Sequence, residues 1–444
     1  MGYLTGKAIS PESARLVKAI ADLVASKEVR ERQRGASGTE KLRRAVVAFA
    51  ADLLSIHPAP VFIVTNNAAM TGMEVKADTF RQVLTAMIAA GLVEKRAGFR
   101  TKGAEWTLGA ATSFGPSWAP RFWPTAKLLR LAEAEGVIAP MADHFKRPPP
   151  PVNRDRSVLI RGRSSGQWKV KGKRQRLVPS ERLERLQDEV MEVNRALASA
   201  DVQGCDQPIL YRSFTLTIGS EDVPALHGRY YANGSSSYIA MRRDKRRGIT
   251  MHGETVAEVD VSASFFWCFY GAARRLGIIS ATPPPGSDLY AVGDLPRAAV
   301  KAFMTATWGN GKLAQRWPKG TRKKLAEEGI KLTRYPIAKV REEVLKVHPI
   351  LRRLDDVVTA AGLHLLEPEE PHKLCPHWLM GIEAEAVTRA LLRLLREDAV
   401  TAMPLHDCLI VPARMADAAV YRLKEAYREV AGVEPVVKVK GHGE

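Results

Sequence analysis

Two aspartates lie in stretches where a carboxylate is costly. Asp260 falls within VAEVDVSASFFW (residues 256–267) and Asp407 within AVTAMPLHDCLIVPARM (residues 399–415), each between apolar runs. A charge taken out of water without a partner is expensive, so such a group is paired, protonated or bound to a metal. Near-alternation and β-branched residues in TVAEVDV predict a strand with Asp260 near its C-terminal end, and SASFFWCFYGAARRLG predicts a following helix closed by Gly277. The runs flanking LHDC predict a hairpin with Asp407 near its tip. Acids on neighbouring strand ends can converge, yet two bare carboxylates about 4 Å apart repel by roughly 4 kcal/mol at an effective dielectric near 20. Divalent cations offset that repulsion. Two of them about 3.5–4 Å apart can activate an attacking hydroxyl and stabilise a leaving oxygen in phosphoryl transfer.

Composition points the same way. The chain has 444 residues, enough for two or three domains, and 67 Lys plus Arg against 48 Asp plus Glu give a net charge of +19. Such a balance implies a polyanionic partner, with nucleic acid the first candidate. There is no run of 18 or more apolar residues and no signal-peptide core at the N-terminus, so we expect a cytoplasmic protein without membrane attachment. Cys205, Cys268, Cys375 and Cys408 form no CxxC pair, in keeping with a reduced compartment.

Upstream, Phe80, Val83, Leu84, Met87 and Ile88 have helical spacing, with Asp78 placed to cap that helix and Gly91 to end it. A helical pattern at residues 39–55 precedes it and LVEKRAGFRTKGAEWTL comes after it as two short strand-like runs around a basic turn, an order that resembles a winged helix. Four prolines at 148–151 read as a semi-rigid connector. Next comes RGRSSGQWKVKGKRQR (residues 161–176), in which Arg161, Arg163, Lys169, Lys171, Lys173 and Arg174 surround one Trp, a mixture suited to tracking phosphates. A long helix is expected from Ser180 to about Ser199.

The motifs resemble a known family. EVDVSASFF is similar to motif A of the family A DNA polymerases and the single-subunit phage-type RNA polymerases, and PLHDCLIVP to their motif C; PRAAVKAFMTATWGNG (296–311) between them is similar to motif B. HGRYYANGSSSYIAMRRDKRRGI resembles the Gly-Arg segment before motif A, and LMGIEAEAVTRALLRLL takes the place of the helix leading into motif C, so the resemblance covers residues 225–440. It implies an α+β polymerase palm with an antiparallel sheet and fingers helices, behind a winged-helix-like N-terminal domain. The implied domains are 1–146 (winged-helix-like, mostly helical), 147–178 (Pro-rich and basic linker), 179–225 (thumb-like helical segment) and 226–444 (palm and fingers).

It further implies that Asp260 and Asp407 hold two Mg2+ ions, with Mn2+ able to substitute, and that Arg297 and Lys301 meet an incoming nucleoside triphosphate. Trp308 would stack near the nascent base pair, and Arg229 and His406 would contact template or primer. The chain departs from the family pattern in three places. Arg297 and Lys301 stand one residue too close to Trp308, a rotation of about 100° on a helix; the aromatic is Trp rather than Tyr or Phe; and Cys408 follows the motif C Asp. Phe265, five residues after Asp260, stands where the DNA polymerases carry Glu and the RNA polymerases Gly, and a phenyl ring there would exclude a 2′-hydroxyl by shape.

The expected function is therefore template-directed DNA synthesis by a compact polymerase of a phage, plasmid or other mobile element, in a layout without a proofreading exonuclease. Two alternatives stand beside it: an RNA polymerase or primase, favoured by the Met-Thr of MTATWG, and a DNA-binding replication initiator or regulator with a silent palm. His372, Cys375 and His377 lack a fourth zinc ligand nearby in sequence, TWGNGKL fails the Walker pattern, and DVSAS lacks a Gly-x-Ser-x-Gly elbow.

Overall fold

The computed structural model describes residues 4–27, 34–63, 70, 74–100, 117–148, 152–163, 172–221, 223–232, 237–284 and 286–441. They form two compact units, one from Met1–Ala104 with Phe114–Asn153 and one built on Arg154–Glu444. No helix among the described residues is long and apolar enough to cross a membrane.

In the first unit, helices Pro11–Ser26, Ala36–Ile56 and Ala77–Ala89 pack on a shared core. Phe49 meets Phe80 and Phe122 edge-to-face at 5.1 and 5.6 Å, the arrangement ring quadrupoles favour. Buried Asp52 accepts from Leu4 N at 2.9 Å and Arg147 Nε at 2.7 Å. Gly91 ends the third helix at φ +71°, but Asp78 does not cap it. Lys76 holds the extended cap position, and Asp78 sits inside the first turn, where it pairs with Arg81 at 2.6 Å. Strand Val93–Arg96 pairs with Arg121–Pro124, which also pairs with Val61–Phe62, while Phe99–Arg100 pairs with Ser117–Trp118. The partner strands thus lie further along the chain than the run after Phe99; the rest of that run, residues 101–108, lies outside the described residues.

The second unit is mixed α/β. Helix Glu181–Ser199 begins at Ser180, whose hydroxyl accepts from Leu183 N, as the pattern predicts. Strands Val158–Arg161, Leu210–Thr215 and His227–Ala232 form a three-stranded sheet. Val158–Arg161, within the stretch expected to be linker, runs parallel to Leu210–Thr215 because Val158 and its neighbours join the cluster with Leu183, Leu186 and Phe214.

The larger sheet centres on Glu254–Ser262, flanked antiparallel by Cys408–Pro412 and Val436–Lys440. Val259 and Val261 face the core, leaving Glu258, Asp260 and Ser262 half-buried on the other face, as a period of two requires. Helices Ser264–Arg275, Arg297–Asn310, Cys375–Arg396 and Ala416–Val430 contribute to the same core. Helix Ser264–Arg275 comes so close to the chain at Ala431 that a Cβ on Gly271 would stand 1.8 Å from the Ala431 carbonyl oxygen. Gly271→Ala is expected to destabilise the protein by about 1–3 kcal/mol through overpacking against backbone, read as a lower Tm.

Candidate active site

The strand register brings the two aspartates together. Asp260 lies directly opposite Cys408, and Val261 N donates to the Asp407 carbonyl at 3.0 Å, so the hairpin tip closes over the end of Asp260's strand. Strands Met403–Leu405 and Cys408–Pro412 form the expected hairpin, and His406 takes φ +58° in its two-residue turn. After Ser262 the chain reverses abruptly through Ala263, also left-handed at φ +56°, and enters the helix that carries Ser264 and Phe265. A non-glycine residue in that region costs of order 1 kcal/mol, which packing must supply.

A third acid belongs to the cluster. Glu383, on helix Cys375–Arg396, is 1% exposed, accepts from Arg229 Nε at 2.7 Å and Ser264 Oγ at 2.6 Å, and forms an ion pair with Arg229 Nη2 at 2.6 Å. Ser264 Oγ lies 2.8 Å from the Tyr427 hydroxyl, which donates to it because the serine proton is committed to Glu383. The Arg229 guanidinium also lies over the Phe265 ring, 5.6 Å from its centroid. Burial pushes Asp407 up to about 7, and the charges of Glu383 and Asp260 push in the same direction. Burial likewise raises Glu383, against the opposing pull of Arg229.

Cations ring these acids. Lys440 Nζ lies 2.5 Å from Asp260 Oδ2, and Arg246 Nε lies 2.8 Å from Glu258 Oε1. His406, predicted to touch nucleic acid, is driven down to about 4 by burial and by Arg229 and Arg246, so it is neutral at physiological pH.

Arg297 is anchored rather than free. It pairs with Asp288 at 2.7 Å and lies over the Tyr290 ring at 5.1 Å. Burial lifts the Tyr290 hydroxyl to about 12. Lys301 is exposed one turn further along the helix. Trp308 is 4% exposed and packs on Phe266 and Phe269 at 5.4 and 5.2 Å, inside the core. Phe265 is half-buried beside Ser264.

The basic stretch doubles back on itself: Gly162 N donates to Lys173 O and Gln175 N to Ile160 O, both at 2.9 Å. Arg161 bridges Arg174 across this arm, Arg163 pairs with Glu367, and Lys173 and Arg174 are exposed. Lys169 and Lys171 lie outside the described residues.

Glu383, Lys440, Arg246 and Tyr290 do not stand out in the sequence. For Glu383 a signal exists, since it shares a helical stripe with Leu379 and Val387 and a lone carboxylate on an apolar stripe needs a partner.

Hard oxygen donors at Asp260 and Asp407 suit Mg2+ or Mn2+. Among the described residues no three His, Cys, Asp or Glu form a ready-made metal cage. A pair of carboxylates is nonetheless the usual protein share of a Mg2+ site completed by substrate phosphates.

No protein-family model and no curated protein matches the chain. Among solved structures it is similar to the POL domain of Pol1 from M. smegmatis, in complex with DNA primer-template and dNTP, at 13% identity and a TM-score of 0.32. The match covers 97% of this chain and 66% of that one. Likeness at that level carries no weight for fold or function, which rest on the residues and their geometry.

Proposed function

We propose that the chain is a template-directed nucleotidyltransferase, a compact DNA polymerase that extends a primer 3′-hydroxyl with deoxynucleotides. The observation carrying this reading is the convergence of Asp260 and Asp407 at adjoining strand ends, with Arg229, Glu383 and Phe265 gathered beside them from separate motif segments. Asp260 and Asp407 hold divalent cations, which when bound favour deprotonation of the attacking hydroxyl and offset charge on the leaving oxygen. Arg297 and Lys301 take the polyphosphate, and Arg229 and neutral His406 position primer or template by hydrogen bonding. Arg161, Arg163, Lys173, Arg174, Lys169 and Lys171 track the nucleic-acid backbone, and the N-terminal unit adds a winged-helix-like contact to DNA.

The test is extension of a labelled primer on a DNA template with Mg2+. Product from deoxynucleotides is expected. Product from ribonucleotides alone would move the assignment to an RNA polymerase or primase, and no product with any nucleotide would favour a DNA-binding regulator. Phe265 is assigned as the sugar gate, so Phe265→Ala should raise ribonucleotide use relative to deoxynucleotide by up to about 100-fold. Competition of the two sugars in the same extension assay measures it, and unchanged selectivity would remove Phe265 from the gate.

A further inference from the structure

The contact between Lys440 and Asp260 is not one the strand register dictates. Strand Val436–Lys440 sets Lys438 directly opposite Asp260 and Lys440 opposite Glu258. Lys440 instead reaches diagonally, placing Nζ 2.5 Å from Asp260 Oδ2, because Glu258 is already held by Arg246 at 2.8 Å. Arg246 is itself fixed by a 2.7 Å bond to the Met241 carbonyl. Lys440 and Asp260 are 29% and 26% exposed, a pair screened less than one on the open surface. On its other flank Asp260 faces Cys408, which is buried and offers no charge.

We infer that Lys440 is the resident counter-ion of Asp260, which a divalent cation must displace. This inference rests on the proposal that Asp260 and Asp407 hold metal. The ammonium pairs with the Asp260 carboxylate and holds it in place in the metal-free protein, which answers the cost of placing an acid in an apolar strand. It also occupies the carboxylate oxygen that a metal ion would take, and two cations on one oxygen repel. Lys440 therefore lowers the affinity of the free protein for metal, and does so from a strand 180 residues away from its partner in sequence.

The experiment is Mn2+ binding to the purified full-length chain without nucleotide, followed by the electron paramagnetic resonance signal of free Mn2+. Wild type is compared with Lys440→Met, Lys440→Arg and Asp407→Asn, with melting curves confirming that each is folded. Lys440→Met should bind Mn2+ about tenfold more tightly than wild type, about 1.4 kcal/mol. Lys440→Arg, which keeps the cation, should match wild type, and Asp407→Asn should lose the site. Unchanged or weaker binding by folded Lys440→Met, with binding still lost in Asp407→Asn, would overturn the role of Lys440 and leave the metal site standing. Binding that is absent in every variant, or indifferent to Asp407→Asn, would overturn the metal site itself and this inference with it.

Discussion

Glu383→Ala should destabilise the protein by about 3–5 kcal/mol, the cost of removing one partner of a buried ion pair. Its carboxylate is 1% exposed and receives two hydrogen bonds, one from Arg229 Nε and one from Ser264, with Arg229 Nη2 a further 2.6 Å ion-pair contact. Truncation leaves the Arg229 guanidinium, whose side chain is 16% exposed, without its counter-charge, and strands the Ser264–Tyr427 hydroxyl pair. In a unit of this size the loss corresponds to a Tm lower by about 10 °C. Glu383→Gln separates charge from shape, because the amide oxygen can still accept from Arg229 or Ser264. It should cost less in stability, and by removing one of the charges that raise Asp407 it should bring that carboxyl down towards its ordinary range. Thermal melts of the two variants, with the Asp407 carbon resonance followed through a pH titration, check both parts.

Asp407→Asn should abolish catalysis while stabilising the metal-free protein at alkaline pH. Changing a supporting residue around a metal site costs about 10–100-fold in metal affinity or activity, so under the metal-holding role proposed for Asp407 its loss is expected to exceed about 1,000-fold. The stability effect comes from the raised carboxyl. With a folded-state value of about 7 and an ordinary value near 4, Asp407 binds more proton folded than unfolded between those limits. It therefore supports the fold below about pH 4, and that support is lost as pH rises towards 7. Asparagine carries no charge to bury, so melts in the presence of a chelator should show the smallest difference from wild type at pH 4 and an advantage for the variant that grows from pH 4 to about 7 and then levels off to pH 8. A variant less stable than wild type at pH 8 would mean that the Asp407 carboxylate is favourably bound there.

The parts of this architecture legible in the sequence are those whose signal is local. Ser180 and the spacing of Leu183, Leu186, Val190 and Val193 announce their helix with its cap, and the alternation of Val259 and Val261 with Glu258 and Asp260 announces the central strand. The hairpin around His406 and Asp407 is equally local. Asp78 shows where local rules stop: two residues nearer the N-terminus it would cap, but the helix begins at Ala77, so it pairs with Arg81 instead.

What escapes a reading of the sequence depends on contacts distant in the chain. Arg229 and Glu383 are 154 residues apart, and Lys440 and Asp260 are 180. The Val436–Lys440 stretch alternates as a strand should, but nothing local says which edge it joins. Motif order puts Trp308 beside a base pair. Its ring instead fills the space between Phe266 and Phe269, a packing decision made by the helix after Asp260.

In the proposed function Asp260 and Asp407 together carry nucleotidyl transfer. Single-turnover extension of a labelled primer on a DNA template with Mg2+ and deoxynucleotides, comparing wild type with Asp260→Asn and Asp407→Asn, is the decisive measurement. Wild-type extension by single nucleotides, reduced at least about 1,000-fold in each variant while both remain folded, is the predicted result. Extension by wild type that survives in both folded variants would contradict the account, because the chemistry would then reside elsewhere in the chain.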